Sequence, residues 1–256
     1  MSDAPLKLEL ERDGRLLRLT LARPKANIVD AAMIGALQAA LDEHLSRAEL
    51  AAVLLDAEGP HFSFGASVEE HLPAQCEVML KQLHRLVMSL ATSPVPVLSA
   101  VRGQCLGGGL ELVLSGNLIF CAEDAFFGQP EIRLGVFAPA ASCLLPERIG
   151  RAQAEDLLFS GRNIDAQTAF RFGLVNAVDD SPGDTAMAYF DKHLARLSSF
   201  SLRQAVKAAR SDMVERLERR IAEVEQQYLD GLMSGRDPVE GLNAFIEKRT
   251  ANWEHC

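Results

Sequence analysis

The chain opens with two short runs in which apolar and polar positions alternate: Leu6, Leu8 and Leu10, then Leu17, Leu19 and Leu21. A period of two is the pattern of a strand. Asp13-Gly14 lies between the runs, so they predict a β-hairpin. The period then changes. Met33, Ile34, Leu37, Leu41 and Leu45 recur at helical spacing, which predicts a helix capped by Asp30 and running to about Arg47. Ala51 to Leu55 is an unbroken apolar run, read as a buried strand. Helical spacing resumes over 74–91 and stops before Pro94 and Pro96, and strand-like runs follow at 95–101 and 117–121. Strands alternating with helices predict an α/β architecture with right-handed crossovers.

The tail has a different pattern. Val214, Leu217, Ile221, Val224 and Tyr228 are spaced alternately by three and four, a heptad-like seam among charges. Such a seam serves equally for packing on the chain's own core or for a subunit interface. Asp237-Pro238-Val239-Glu240 reads as a helix start, with Asp237 as cap, proline in the first turn and Glu240 behind it; this last helix is expected to reach about Thr250. Residues 1–200 are expected to form the core and 201–256 a helical C-terminal region.

Composition narrows the class. The 256 residues suffice for one sizeable core, and 48% hydrophobic with 24% charged residues is the balance of a soluble globular protein. A net charge of −9 argues against a nucleic-acid partner. Met1-Ser2-Asp3-Ala4-Pro5 lacks the basic-then-apolar pattern of a signal peptide, and no apolar run approaches the ~18 residues of a membrane span. The five cysteines form no Cys-x-x-Cys pair, and the six histidines form no metal-ligand spacing. A cytoplasmic location with reduced thiols and no metal is expected.

The candidate chemistry sits in two segments. In Val101-Arg102-Gly103-Gln104-Cys105-Leu106-Gly107-Gly108-Gly109-Leu110-Glu111-Leu112 a strand-like run gives way to a helix-compatible one through three glycines. Glycine lets the backbone approach a ligand closely. Free N–H groups at a helix start stabilise negative charge. Glu111 therefore stands beside an anion-binding backbone, which suits chemistry through an oxyanion or enolate. Neither a Gly-Lys-Ser/Thr phosphate loop nor a Gly-x-Gly-x-x-Gly fingerprint is present. The second segment is Gln129-Pro130-Glu131-Ile132-Arg133-Leu134-Gly135. Glu131 gives a second carboxylate on a separate, loop-like element. Two carboxylates near preorganised amides can hold and deprotonate a water.

Phe62-Ser63-Phe64-Gly65-Ala66-Ser67-Val68, the glycine–Glu111 segment, Phe127-Gly128-Gln129-Pro130-Glu131 and Gly173-Leu174-Val175-Asn176 occur in the order seen in the enoyl-CoA hydratase (crotonase) superfamily, which the chain resembles over nearly its whole length. The ending Phe245-Ile246-Glu247-Lys248-Arg249 through Trp253 is similar too. The resemblance implies a spiral of ββα units with a helical C-terminal region that builds homotrimers, often paired into hexamers. It implies an acyl-CoA thioester as substrate, with no separate cofactor. The amides of Ala66 and Gly108 would form the oxyanion hole, and Glu111 and Glu131 match the two glutamates of the family's hydratases. Arg23, Lys25, Ala26, Gly65, Ser67, Val68 and Lys248 would hold coenzyme A.

Departures from the usual pattern bear on the acyl group. Ser67 and Glu69 replace a common Asp and Lys, and Gly135-Val136-Phe137-Ala138-Pro139-Ala140-Ala141-Ser142 replaces a glycine-rich stretch. Pro139 stands where the family has a glycine whose N–H helps hold the water, and proline has no N–H. The two glutamates alone, or Ser142, are left to hold it. Phe137, Pro139 and Ser142 are the expected acyl-pocket residues. The segments 26–30 and 62–71 resemble those of cyclohexa-1,5-diene-1-carbonyl-CoA hydratases, which act in anaerobic benzoyl-CoA degradation. A general enoyl-CoA hydratase, a double-bond isomerase and a non-catalytic CoA-ester-binding subunit are the alternatives. His61, His71 and His84 are candidates for the acyl-pocket lining but are read first as surface or packing residues, and Cys105 and Cys143 as apolar fillers.

Overall fold

The alternating runs at the start form the expected hairpin: β1 (Leu6–Glu11) pairs antiparallel with β2 (Leu16–Leu21), Leu8 opposite Leu19. The computed structural model describes residues 4–256. α1 (Ala31–His44), β3 (Ala52–Ala57), α2 (Cys76–Ala91) and β4 (Val97–Val101) come next, within a few residues of their predicted bounds. Then come β5 (Gln104–Leu106), α3 (Gly108–Ser115), β6 (Leu118–Cys121) and β7 (Phe126–Gly128). The remainder is α4 (Pro139–Ile149), α5 (Arg151–Ser160), β8 (Asn163–Asp165), α6 (Ala166–Arg171), β9 (Ala177–Val178), α7 (Pro182–His193), α8 (Ser199–Gln226) and α9 (Asp237–Ile246).

The strands form two sheets. The larger has the order β1-β2-β3-β4-β6-β9, and the smaller β5-β7-β8. From β2 onward the large sheet is parallel. Both of its faces are covered. Leu17, Leu19, Val53, Leu55, Val97, Val101 and Ile119 point into the main core, with α1 and α2. Their neighbours Leu16, Ala52, Leu54, Leu98, Ala100 and Phe120 point the other way, onto Ala186 and Phe190 of α7. That explains the unbroken apolar runs. Only β1, at the sheet edge, keeps leucines in water.

The C-terminal seam packs inward. Leu217, Ile221, Val224 and Tyr228 are buried, with α8 lying against α2 and α4. The last helix differs from expectation at both ends. Asp237 is its first residue, and its carboxylate accepts from the N–H groups of Glu254 (2.7 Å) and His255 (2.9 Å) rather than from the helix. The helix stops at Ile246, short of Thr250, because the chain turns back through Lys248 at φ 55°.

Asp30 does cap α1: its Oδ1 accepts from Met33 N at 2.9 Å while Oδ2 takes Arg23 Nη1 at 2.7 Å. This cap also fixes the start of the segment 23–29 against the site. Asp30→Ala is expected to lower stability by about 1 kcal/mol, and Asp30→Asn by less, since the amide oxygen keeps the cap. Urea unfolding of the two variants checks this.

Candidate active site

The small sheet builds the site. β5 and β7 run parallel and end side by side, Leu106 opposite Gly128. Gly107 N donates to Gly128 O at 3.0 Å across that end. From here β5 turns through Gly107 into α3, which carries Glu111 in its first turn, and β7 leads into a 3-10 turn, Pro130–Leu134, which carries Glu131. Two carboxylates twenty residues apart thus rise from the same carboxyl edge of a parallel pair, the edge at which α/β folds bind ligands. Gly107 has φ 51°, and a Cβ there would lie 2.5 Å from Glu131 Oε1. The glycine is required both for the turn and for the closeness of the carboxylate.

The segment 62–68 completes the arrangement. Ser63 N donates to Gln104 O (3.0 Å) and Leu106 N to Ser63 O (3.0 Å), laying this segment beside β5. On its other side Phe64 N donates to Ala26 O and Val29 N to Gly65 O, both at 2.9 Å. The buried Ser63 hydroxyl pins the turn, donating to Asn27 O (2.8 Å) and accepting from Gly65 N (3.0 Å). Asn27, also buried, donates to Glu58 O and His61 O. The result brings Ala66 against the start of α3: a Cβ on Gly108 would fall 3.1 Å from Ala66 N. Among the described residues neither the Ala66 nor the Gly108 N–H has an acceptor. Two adjacent free donors are available to an oxyanion.

The carboxylates differ in surroundings. Glu111 is 2% exposed, and Oε1 accepts from Ala141 N at 2.9 Å, at the start of α4. Burial raises its pKa, while the N–H groups of Ala141 and Ala140 and the charge of His84 oppose the rise. Glu131 is pushed up to about 8, by burial first and then by the charge of Glu111. With its amide assigned so that nitrogen faces the carboxylate, Gln129, buried beneath it, donates to Glu131 Oε2 (3.0 Å) and Oε1 (3.1 Å), and these donors oppose the rise. Burial and the charge of Glu111 thus favour the protonated form of Glu131, and the two carboxyl groups titrate as a pair.

Glu131 opens into a cavity of 640 Å³ that Gly65, Ala66, Ser67 and Val68 line with it. Its apolar walls are Ile28, Leu106, Leu134, Val136, Leu242 and Phe245. Phe137, Pro139 and Ser142 do not border this cavity. Phe137 is turned edge-on to Tyr228, with ring centroids 5.2 Å apart. Pro139 is the buried first residue of α4. Ser142 donates its hydroxyl to Ala138 O (2.7 Å) and borders a different cavity with Glu147 and Arg216. From Pro139 onward the stretch winds into a helix. Of the segments expected to hold coenzyme A, Arg23 is engaged by Asp30, Ala26 lies beside Phe64, and Lys25 and Lys248 are exposed.

Two further residues gain a place here, Gln129 without an earlier sign and His71 although a packing role is the first expectation for it. Gln129 belongs to a quoted motif but gave no sign of its partner. His71 lines the cavity, and its Nδ1 lies 2.6 Å from Ser67 O. A carbonyl only accepts, so Nδ1 carries the proton, and burial lowers the pKa and keeps the ring neutral. Among the described residues no cluster of three or more His, Cys, Asp or Glu side chains is placed to hold a metal ion, and no helix is long and apolar enough to cross a membrane.

Comparison with known proteins agrees with this architecture. The family described as enoyl-CoA hydratase/isomerase matches residues 11–255. The chain is 64% identical to the cyclohexa-1,5-dienecarbonyl-CoA hydratase of Thauera aromatica, over the full length of both. It is 34% identical to a probable enoyl-CoA hydratase of Rhizobium meliloti, covering 97% of this chain and 98% of the relative. A solved enoyl-CoA hydratase/isomerase from Pseudoalteromonas atlantica superposes with a TM-score of 0.84 at 27% identity, covering 97% of this chain and 99% of that one. With carboxylates, free amides and chain-long similarity in agreement, the chain belongs to the enoyl-CoA hydratase/isomerase family.

Proposed function

We propose that this protein is a hydratase that adds water to cyclohexa-1,5-diene-1-carbonyl-CoA, as a step of benzoyl-CoA degradation. The observation that carries the reading is the pair Glu111 and Glu131, set beside the free amides of Ala66 and Gly108. The name of the Thauera relative supports the ring substrate, and the apolar cavity walls suit a hydrocarbon ring.

The thioester oxygen accepts hydrogen bonds from Ala66 N–H and Gly108 N–H. Glu111, ionised, takes a proton from the water, whose oxygen bonds to C2 of the ring. The C1=C2 electrons move onto the thioester oxygen and give a dienolate. As that charge returns through C1 and C6, C5 takes the proton of Glu131, and a C1=C6 double bond remains. Atoms balance at one water added, in a 1,4 sense. Glu111 has gained one proton and Glu131 has lost one, so exchange through solvent resets the pair. Losing one oxyanion donor typically costs ~3 kcal/mol of barrier. Arg23, Lys25, Ala26, Gly65, Ser67, Val68 and Lys248 hold the coenzyme A portion in this reading. Exposed Phe159, Phe200 and Phe245 (72%, 74% and 56%) supply apolar surface for a homotrimer or hexamer. The enzyme works in the cytoplasm.

Mass spectrometry of the purified protein with the cyclic dienoyl ester and, separately, crotonyl-CoA tests the reading. Gain of one water on the ring ester, with little on crotonyl-CoA, is expected. Addition to crotonyl-CoA alone points to a general enoyl-CoA hydratase, and an isomerised ester of unchanged mass to an isomerase. Glu111→Gln and Glu131→Gln should each lower turnover by about 10²–10⁴ while ester binding persists, measured by steady-state kinetics and calorimetry.

The proton on Glu131 also sets a pH dependence. Its pKa rises on folding from 4.5 to about 8, so its favourable contribution is complete below 4.5 and is lost as pH rises through about 8. Hydration should fall over the same alkaline range. Glu131→Gln should lose less stability than the parent between pH 7 and about 9, as thermal unfolding at stepped pH would record.

A further inference from the structure

Glu131 is carried by a turn that has little to hold it. The 3-10 turn Pro130–Leu134 is short and none of its residues is buried. Its hydrogen bonds are of poorer geometry than those of an α-helix, so it does not keep itself rigid. Open space lies on both sides of it. Pro130, Glu131 and Leu134 border the cavity described above, while Ile132 and Gly135 border a second, outer hollow of 640 Å³. Gly135, at φ 75°, closes the turn. Its N–H donates to Ile132 O at 3.2 Å, and Val136 N donates to Glu131 O at 3.3 Å. Whatever fixes Gly135 therefore fixes the main chain of Glu131.

Trp253 stands directly against this glycine. A Cβ on Gly135 would lie 3.0 Å from the indole Cζ3 and 3.2 Å from Cη2. α9 closes on the same place from the other side: a Cβ on its Gly241 would lie 2.1 Å from Leu134 O and 2.8 Å from the indole Cη2. Only glycine at both positions lets ring, helix and turn approach so closely. The indole is held in turn by its own segment. Asn252 N donates to Glu240 Oε1 at 2.7 Å, and the Asp237 carboxylate takes the N–H groups of Glu254 and His255. Glu240 and Asp237 belong to α9, which supplies Leu242 and Phe245 to the cavity. Trp253 is 39% exposed and lies outside both hydrophobic cores, so its contacts serve the turn rather than the core. We propose that Trp253 is a positioning residue for the reaction: its indole braces Gly135 and holds the turn so that the Glu131 carboxyl stays aimed at the acyl group.

This inference rests on the hydratase reading, and one experiment separates their failures. Trp253→Ala removes the brace. On whichever ester the parent protein hydrates, kcat should fall at least about tenfold with KM changed less than about twofold, since a small misplacement of a reacting group is enough for such a loss. The alkaline fall in rate should also move to lower pH, because a loosened Glu131 meets more water and its pKa drops from about 8 toward 4.5. Should Trp253→Ala not fold, Asp237→Ala decides: it leaves the indole in place but unties its segment, and the same loss of kcat and the same shift of the pH profile are expected. A folded variant with the parent's kcat and pH profile, even one of lower melting temperature, or a variant that only raises KM, overturns the role of Trp253 and leaves the hydratase reading standing. A parent protein that hydrates neither ester overturns the hydratase reading, and this inference with it.

Discussion

The parallel pairing of β5 and β7 is the constraint on which the rest depends. Each strand is three residues long, yet the bond from Gly107 N to Gly128 O closes their shared end and aligns the two segments that leave it. One strand hands the chain to α3 and Glu111, the other to Glu131. Neither carboxylate has a local reason to be near the other. The second sheet supplies that reason, and the left-handed Gly107 allows it at close range. The segment 62–68, laid against β5 on one side and 26–29 on the other, adds Ala66 to the same edge.

Setting the buried Glu111 beside the half-buried Glu131 is costly, and the cost is turned to chemical use. A lone buried carboxylate favours its neutral form, and a second charge beside it strengthens that preference. Here N–H groups reach both carboxylates, from the start of α4 to Glu111 and from Gln129 to Glu131, while burial and the charge of Glu111 push Glu131 towards its neutral form. That difference suits Glu111 to the part of base and Glu131 to that of acid. It also couples catalysis to stability, since the proton that Glu131 donates is the one that burial makes it keep.

Much of this was legible in the residues, and what was not has identifiable causes. The hairpin, the Asp30 cap and the long apolar strands announce themselves through local periods and single-residue chemistry. Glu111 and Glu131 stand in motifs whose order points to one family. β5, β7 and β8 are too short for any period to show, so the smaller sheet was missed although it makes the site. The cavity walls Leu242 and Phe245 arrive from α9, more than a hundred residues beyond Glu131; Phe245 opens a quoted motif, but nothing local ties either residue to the cavity. No period in the stretch 135–142 shows that Pro139 begins a helix, so the packing of Phe137 on Tyr228 and the Ser142 bond to Ala138 come only from the fold. His71 and Gln129 owe their interest to partners that only the fold provides.

The central physical claim is that the two carboxyl groups carry different protonation at neutral pH. Infrared difference spectroscopy across a pH titration reads this directly, through the carbonyl band of a protonated carboxyl group in the parent protein and in Glu131→Gln. A band present at neutral pH, fading as pH rises through about 8 and absent from Glu131→Gln, is the predicted result. No such band at neutral pH, or one that persists unchanged in Glu131→Gln, would contradict the division of roles between Glu111 and Glu131.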